Sequence, residues 1–357
     1  METILVTGGA GFIGSNFIRH LLSPKANSPR AKASRDCRVV NLDNLTYAGN
    51  LDNLRDIEGD PRYRFVKGDV RDPAAVRAAM RGVDAVVHFA AETHVDRSLL
   101  EGGEFITTDV LGTYVLLDTA RQAGVGRFLH ISTDEVYGES LPGQRFKETD
   151  PFHPRSPYSA SKAGAEMQCV AFFETYGLPV VIARPANNIG PYQHVEKAVP
   201  LFITNALNDE PLPLYGEGLQ VRDRLYVADD CEALDLLLRA GEPGEAYNIG
   251  ADNERTNIEV AETVLDLLDK PRSLIRFVED RPGHDRQYSL DSSKTRGLSW
   301  APRHDFQAAI EKTVEWYVNN RWWWEKVRSG RFRRYYQRQY GRRLAAARGP
   351  SPGRAGS

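Results

Sequence analysis

Three cysteines in 357 residues, Cys37, Cys169 and Cys231, are too few and too widely spaced for a disulfide framework or a metal motif. No stretch approaches the ~18 consecutive apolar residues that a membrane helix needs. The first strand begins within a few residues of Met1, so no signal peptide is expected. Internal repeats are lacking too. From Lys326 onward there is no Asp or Glu against ten Lys and Arg, so the rest of the chain carries about −12 against a net charge of −2. These absences argue against a secreted disulfide scaffold, a membrane-spanning chain and a solenoid. They predict a cytoplasmic globular protein of one large or two modest domains.

What is present is a strand–helix alternation. Short apolar runs at 4–7, 38–42, 63–70, 85–91, 126–131 and 180–184 read as strands, and helical patterns cover 15–22, 73–81, 105–123 and 159–176. Asp72 is placed to cap the second helix, with Pro73 at its first position. Repeated units of this kind predict an α/β fold, a Rossmann-type doubly wound parallel sheet. Beyond residue 184 proline and glycine punctuate the chain. Helices expected at 196–208, 228–240, 258–268 and 305–320 suggest a smaller α+β C-terminal substrate lobe. The expected division is a nucleotide-binding domain over 1–184, with returning segments near 222–250, a substrate lobe over 185–343 and a disordered tail over 344–357. Residues 23–36 read as a polar surface insert.

The first strand runs into Gly8, Gly11 and Gly14, at a G-x-x-G-x-x-G spacing. Such glycines allow a tight turn and let helix N-terminal N–H groups approach a pyrophosphate. A Gly-rich turn alone is equally a structural device, but the second strand ends at Asp43. An acid there accepts hydrogen bonds from a ribose diol and repels a 2′-phosphate, which favours NAD over NADP. After the strand at 126–131 stands Thr133-Asp134-Glu135, and further on come Tyr158 and Lys162, four apart and hence on one helix face. A hydroxyl, an ammonium and two carboxylates are the parts of a proton-transfer site, delivered where open α/β sheets bind ligands. His88 and His130 lie inside apolar strands and read as core residues, and Trp322-Trp323-Trp324 as packing. The basic stretch with Tyr335, Tyr336 and Tyr340 carries no nucleic-acid motif and reads as a solvated face that also closes over substrate. No nucleic acid, membrane or metal is expected as a partner.

The segments TGGAGFIGSN, FAAETHVDRSL, HISTDEVYG, SPYSASKAG, NNIGPYQHVEKAVPL, PLPLYGEGLQVRD, YNIGADNERTN and EDRPGHDRQYSLD resemble the extended short-chain dehydrogenases/reductases, and among them the dTDP-glucose 4,6-dehydratases. The Gly-rich turn and Tyr-x-x-x-Lys are common to the superfamily, whereas Thr-Asp-Glu marks the dehydratases. The resemblance implies oxidation at C4 of a hexose by NAD, elimination of water across C5 and C6, and return of the hydride to C6. Tyr158, supported by Lys162, would take the C4 hydroxyl proton, Glu135 the C5 proton, Asp134 would protonate the departing C6 hydroxyl, and Thr133 would hold the C4 oxygen. NAD would be held by Gly8, Gly11, Phe12, Ile13, Gly14, Asp43, Asn44, Thr46, Asp69, Val70, Phe89, Ala90, Ala91, Thr108, Tyr158, Lys162 and Asn188. The sugar nucleotide would lie against Thr93, Thr133, Asn187, Lys197, Pro213, Tyr215, Arg222, Asn257, Arg281, His284 and Tyr340. The helices at 105–123 and 159–176 would form a homodimer's four-helix bundle. Thr93 replaces the family's usual Ser. Arg224 replaces a Trp, Arg184 precedes Asn187-Asn188 where a small pair is common, and Ile189 replaces a Tyr; these are expected to bear on the nucleotide preference. UDP-glucose or UDP-glucuronate chemistry (dehydration, epimerisation or decarboxylation) and an idle NAD-binding regulator stay open as alternatives.

Overall fold

The computed structural model describes residues 1–23, 37–347 and 349. The expected insert is outside these residues apart from Ser23, as are 348 and 350–357 of the expected tail.

Alternate residues of the first strand settle the architecture. Ile4 and Val6 belong to the apolar core on one face of the sheet and Leu5 to the core on the other, so the strand is covered on both sides, as parallel sheets require. Seven strands make this sheet: β1 (Glu2–Thr7), β2 (Cys37–Asp43), β3 (Tyr63–Lys67), β4 (Ala85–His88), β5 (Arg127–Ile131), β6 (Val180–Pro185) and, after the chain has left and returned, β10 (Ala246–Ile249). Their order is β10-β6-β5-β4-β1-β2-β3, every pair parallel. The helices Phe12–Leu22 and Val227–Ala240 cover one face; Pro73–Ala79, Gly112–Ala123 and Pro157–Tyr176 cover the other. Because β1 is flanked by β2 on one side and β4 on the other, the winding reverses there, and a crevice opens at the strands' C-terminal ends.

The other strands are short. β7 (Asn187–Ile189), β9 (Val221–Tyr226) and β11 (Glu254–Thr256) form a three-stranded sheet, and β8 (Leu212–Tyr215) pairs in parallel with β12 (Ile275–Val278). The helices Ala198–Leu207, Asn257–Leu267 and Phe306–Asn319 pack around them in a separate apolar core. Trp323 and Trp324 are buried there while Trp322 is exposed, and the Trp323 indole donates to Asn53 Oδ1 at 2.8 Å, tying this core to the nucleotide half.

Two elements differ from expectation. The helix expected over 105–123 starts at Gly102 and contains a π-helical stretch, Ile106–Leu111, before Gly112–Ala123. Thr107 and Thr113 hydroxyls donate to the carbonyls of Glu104 and Asp109, which competes with the regular ladder. The helix Arg331–Ala345, held by the buried Phe332, Tyr335 and Tyr340, runs two residues into the stretch expected to be disordered. Among the described residues no helix is long and apolar enough to cross a membrane.

Candidate active site

One cavity of about 440 Å³ occupies the crevice and runs between the large sheet and the lobe. Its size suits a cofactor or a small organic ligand. Every residue singled out from the sequence as catalytic, cofactor-binding or substrate-binding lies on its wall.

At the sheet end the glycines are dictated by space. Gly8 has φ +69°, and a Cβ there would sit 2.6 Å from the Ala90 amide nitrogen; at Gly14 it would sit 2.4 Å from the Gly8 carbonyl oxygen. Gly11 caps the helix Phe12–Leu22 with no side-chain hydrogen bond, so the first-turn N–H groups have no side-chain acceptor from the cap. That cradle fits a dinucleotide pyrophosphate. Asp43 ends β2 and accepts from the N–H groups of Ala10 (2.9 Å) and Leu45 (2.7 Å). Asn44 donates to Asp69 at 2.9 Å, and Asp69 pairs with Arg71. Asn187 and Asn188 both present side-chain carbonyl oxygens that have no partner among the described residues. Gly8→Val is expected to lose bound NAD and to destabilise the fold by on the order of 2–4 kcal/mol. Cofactor released on denaturation and the melting temperature measure this; full NAD content would reject the cradle.

At the centre, β5 delivers Thr133-Asp134-Glu135 into a short 3₁₀ turn. The Thr133 hydroxyl caps this turn, accepting from the Glu135 N–H at 3.2 Å and donating to Asp134 Oδ1 at 3.1 Å. Both carboxylates are buried. Burial and then the Glu135 charge push the Asp134 carboxyl up to about 7, with Arg222 opposing. Burial raises Glu135 as well, against three cations, Arg281, Arg222 and Lys197. The pair is thus divided into an acid and a better-stabilised anion.

Tyr158 and Lys162 rise from the helix Pro157–Tyr176, opened by the Ser156–Ser159 capping box. The Thr133 hydroxyl works to lower the Tyr158 pKa. The Lys162 ammonium donates to the Ile131 carbonyl at 2.6 Å, and burial followed by the Glu135 charge holds Tyr158 well above its usual value.

The lobe supplies the far wall. Arg281 pairs with Asp96 at 2.7 Å, and the same carboxylate accepts from the Tyr215 hydroxyl at 2.8 Å, joining the two halves across the cavity. Tyr340 packs on Tyr215 with ring centroids 5.9 Å apart, and Gln339 donates to the Tyr215 hydroxyl. His284 contacts Tyr215 edge-on and is held neutral, its pKa lowered to about 4 by burial first. Sequence reasoning did not single out Asp96, and it treats Arg224 only as a departure. A signal for Arg224 was its place two residues after Arg222 on one strand, which puts both on one face. Arg184 is off the cavity wall, in a buried ion pair with Glu166, and Ile189 is buried in the lobe core.

A Rossmann-type sheet with a tyrosine, a lysine and a divided carboxylate pair in its crevice defines a dinucleotide-fold protein built for proton transfer. The family model described as GDP-mannose 4,6 dehydratase matches residues 5–313, and the chain belongs to that family. A dTDP-glucose 4,6-dehydratase of Xanthomonas campestris pv. campestris (strain B100) is 48% identical over 354 residues, covering 93% of this chain and 98% of the relative. The low-salt glycan biosynthesis protein Agl12 of Haloferax volcanii is 49% identical over 317 residues, 89% of this chain and 99% of its own. Among solved structures, DesIV (dTDP-glucose 4,6-dehydratase) from Streptomyces venezuelae, with NAD and TYD bound, superposes with a TM-score of 0.86 at 48% identity, covering 91% of this chain and 99% of that one.

Proposed function

We propose that the protein is an NAD-dependent hydro-lyase that converts dTDP-glucose to dTDP-4-keto-6-deoxyglucose, a step of deoxysugar biosynthesis. The observation that carries this reading is the buried Asp134-Glu135 pair beside Tyr158 and Thr133 on one cavity wall. The activity of the relatives and the NAD named with DesIV support it. NAD, held by the glycine cradle and Asp43, would supply a sink for the C4 hydride and its return to C6 and, as a cation, the positive charge that Tyr158 needs to release its proton.

The chain's own residues do the rest. Thr133 and Tyr158 hold the C4 oxygen, and Tyr158 takes its proton, with Lys162 one helical turn away. With C4 a carbonyl, the C5 proton becomes acidic and Glu135 removes it. Asp134, protonated near neutral pH, donates to the C6 oxygen as water leaves. Arg222 and Arg281 suit a diphosphate because guanidinium forks bind its oxygens, and Tyr215 offers a face to the base. The exposed Ile106, Leu111, Tyr114, Met167 and Val170 of the helices after Gly102 and Pro157 support a homodimer through that face. Three cysteines, few and widely spaced, are in keeping with a cytoplasmic location.

The test is incubation with dTDP-glucose, UDP-glucose and UDP-glucuronate separately, without added reductant, followed by mass spectrometry. Loss of one water from dTDP-glucose is expected. An unchanged mass with an inverted stereocentre would mean an epimerase, and loss of carbon dioxide a decarboxylase.

A further inference from the structure

Of Arg184, Ile189 and Arg224, the three changes expected to bear on the nucleotide, only Arg224 reaches the cavity. Residues two apart on a strand share a face, so Arg222 and Arg224 of β9 turn the same way while Asp223 turns the other. The Asp223 carboxylate is taken up by the N–H groups of Ala251, Asp252 and Asn253 at 2.7, 3.2 and 2.8 Å. Neither guanidinium makes an ion pair among the described residues. Arg222 donates to the carbonyls of Val221 and Asp285 and lies 4.1 Å over the Tyr288 ring. Arg224 is 6% exposed. Its Nη2 donates to Asn257 Oδ1 at 2.7 Å, and its Nε, also buried, has no hydrogen-bond partner among the described residues. Burial beside Arg222 lowers its pKa to about 9.

Asp134 acts electrostatically on both guanidiniums without a hydrogen bond to either among the described residues, and two adjacent buried cations still favour an anion bonded to them directly. The bond to Asn257 adds direction. With Oδ1 committed to Arg224, the donor end of the amide faces away from that guanidinium. Asn257 also opens the helix Asn257–Leu267, whose N-terminal dipole favours negative charge.

We propose that Arg224 is a specificity-determining residue of the sugar-nucleotide site, the second buried cation for the diphosphate beside Arg222 and the group that orients the Asn257 amide toward it. This rests on the sugar-nucleotide reading above. Such a pair favours a nucleoside diphosphate over a ligand of lower charge.

The experiment measures thymidine diphosphate binding to the NAD-loaded protein by calorimetry for wild type, Arg224→Gln and Arg224→Lys. Arg224→Gln is expected to weaken binding about tenfold or more, the size of a lost charge-assisted hydrogen bond. Arg224→Lys should restore part of it, since it keeps the charge but not the fork. NAD content should stay at the wild-type level, and the loss in turnover should appear mainly in KM. Arg224→Gln combined with Asn257→Ala should lose less than the two changes added together, because one acts through the other. Binding by Arg224→Gln within twofold of wild type, or Arg224→Lys no better than Arg224→Gln, would overturn the inference. A wild-type protein with no affinity for thymidine diphosphate would take down the sugar-nucleotide reading together with it.

Discussion

Replacing Glu135 by Gln is expected to stop water loss from the sugar nucleotide, lowering turnover by about 1,000-fold while NAD stays bound. The side chains match in size, so the cavity wall keeps its shape and only the base is removed. Glu135 is suited to be that base because Arg281, Arg222 and Lys197 favour its anion in a site where burial disfavours charge. A carboxylate whose pKa burial has raised is a stronger base than an exposed one, and the three cations offset part of that rise. The decisive readout is uptake of solvent deuterium at C5 together with product mass. Wild type should exchange and eliminate; the variant should do neither. Deuterium at C5 in the variant would assign the base elsewhere.

Asp134→Asn should separate stability from activity. The Asp134 carboxyl titrates near 7 in the folded protein but near ~3.9 when unfolded. Between those values the folded chain binds more protons than the unfolded one, so stability falls as pH rises from about 4 to about 7 and stays lower above. Asn carries no such loss. At pH 8 the variant is expected to be more stable than wild type, by on the order of 1–3 kcal/mol, and the gap should close toward pH 5. Turnover should drop about 100-fold, since an amide cannot hand a proton to the C6 oxygen. Wild-type turnover should itself decline as pH rises through 7. Melting curves at pH 5 and pH 8 decide the matter: a variant less stable than wild type at pH 8 would mean that Asp134 is not held protonated by its surroundings.

The nucleotide half was legible because its strands are long enough for the apolar pattern to show and its turns carry glycine where space demands it. Asp134 and Glu135 were legible from their place at the end of a strand and Tyr158 and Lys162 from their spacing on one helix face, and the resemblance to the dehydratases joined the two pairs. The lobe was less so. Strands β7, β8, β11 and β12 have only three or four residues, too few for a period to appear. β9 reads Val-Arg-Asp-Arg-Leu-Tyr, and its charged residues look like surface although all three are buried. Burying them takes partners far along the chain, Asn257 for Arg224 and the N–H groups of residues 251–253 for Asp223, which no local pattern reveals. Asp96 is the same case, since its partner Arg281 lies 185 residues away. Helix spacing puts Lys162 beside Tyr158, but the bond from its ammonium to the Ile131 carbonyl on β5 is a long-range contact that no local pattern reveals.

The helix Arg331–Ala345 sets an order of events during synthesis. The glycine cradle, Asp43 and the carboxylate pair are all made within the first half of the chain, and N-terminal regions generally fold first as the polypeptide emerges. Tyr335 and Tyr340, which pack on His94 and Tyr215, emerge only after everything else on the cavity wall. A nascent chain can therefore form its glycine cradle while the ribosome still holds the segment that completes the cavity wall. Ribosome-stalled chains ending before residue 331 would be born with the cradle formed and the cavity wall open.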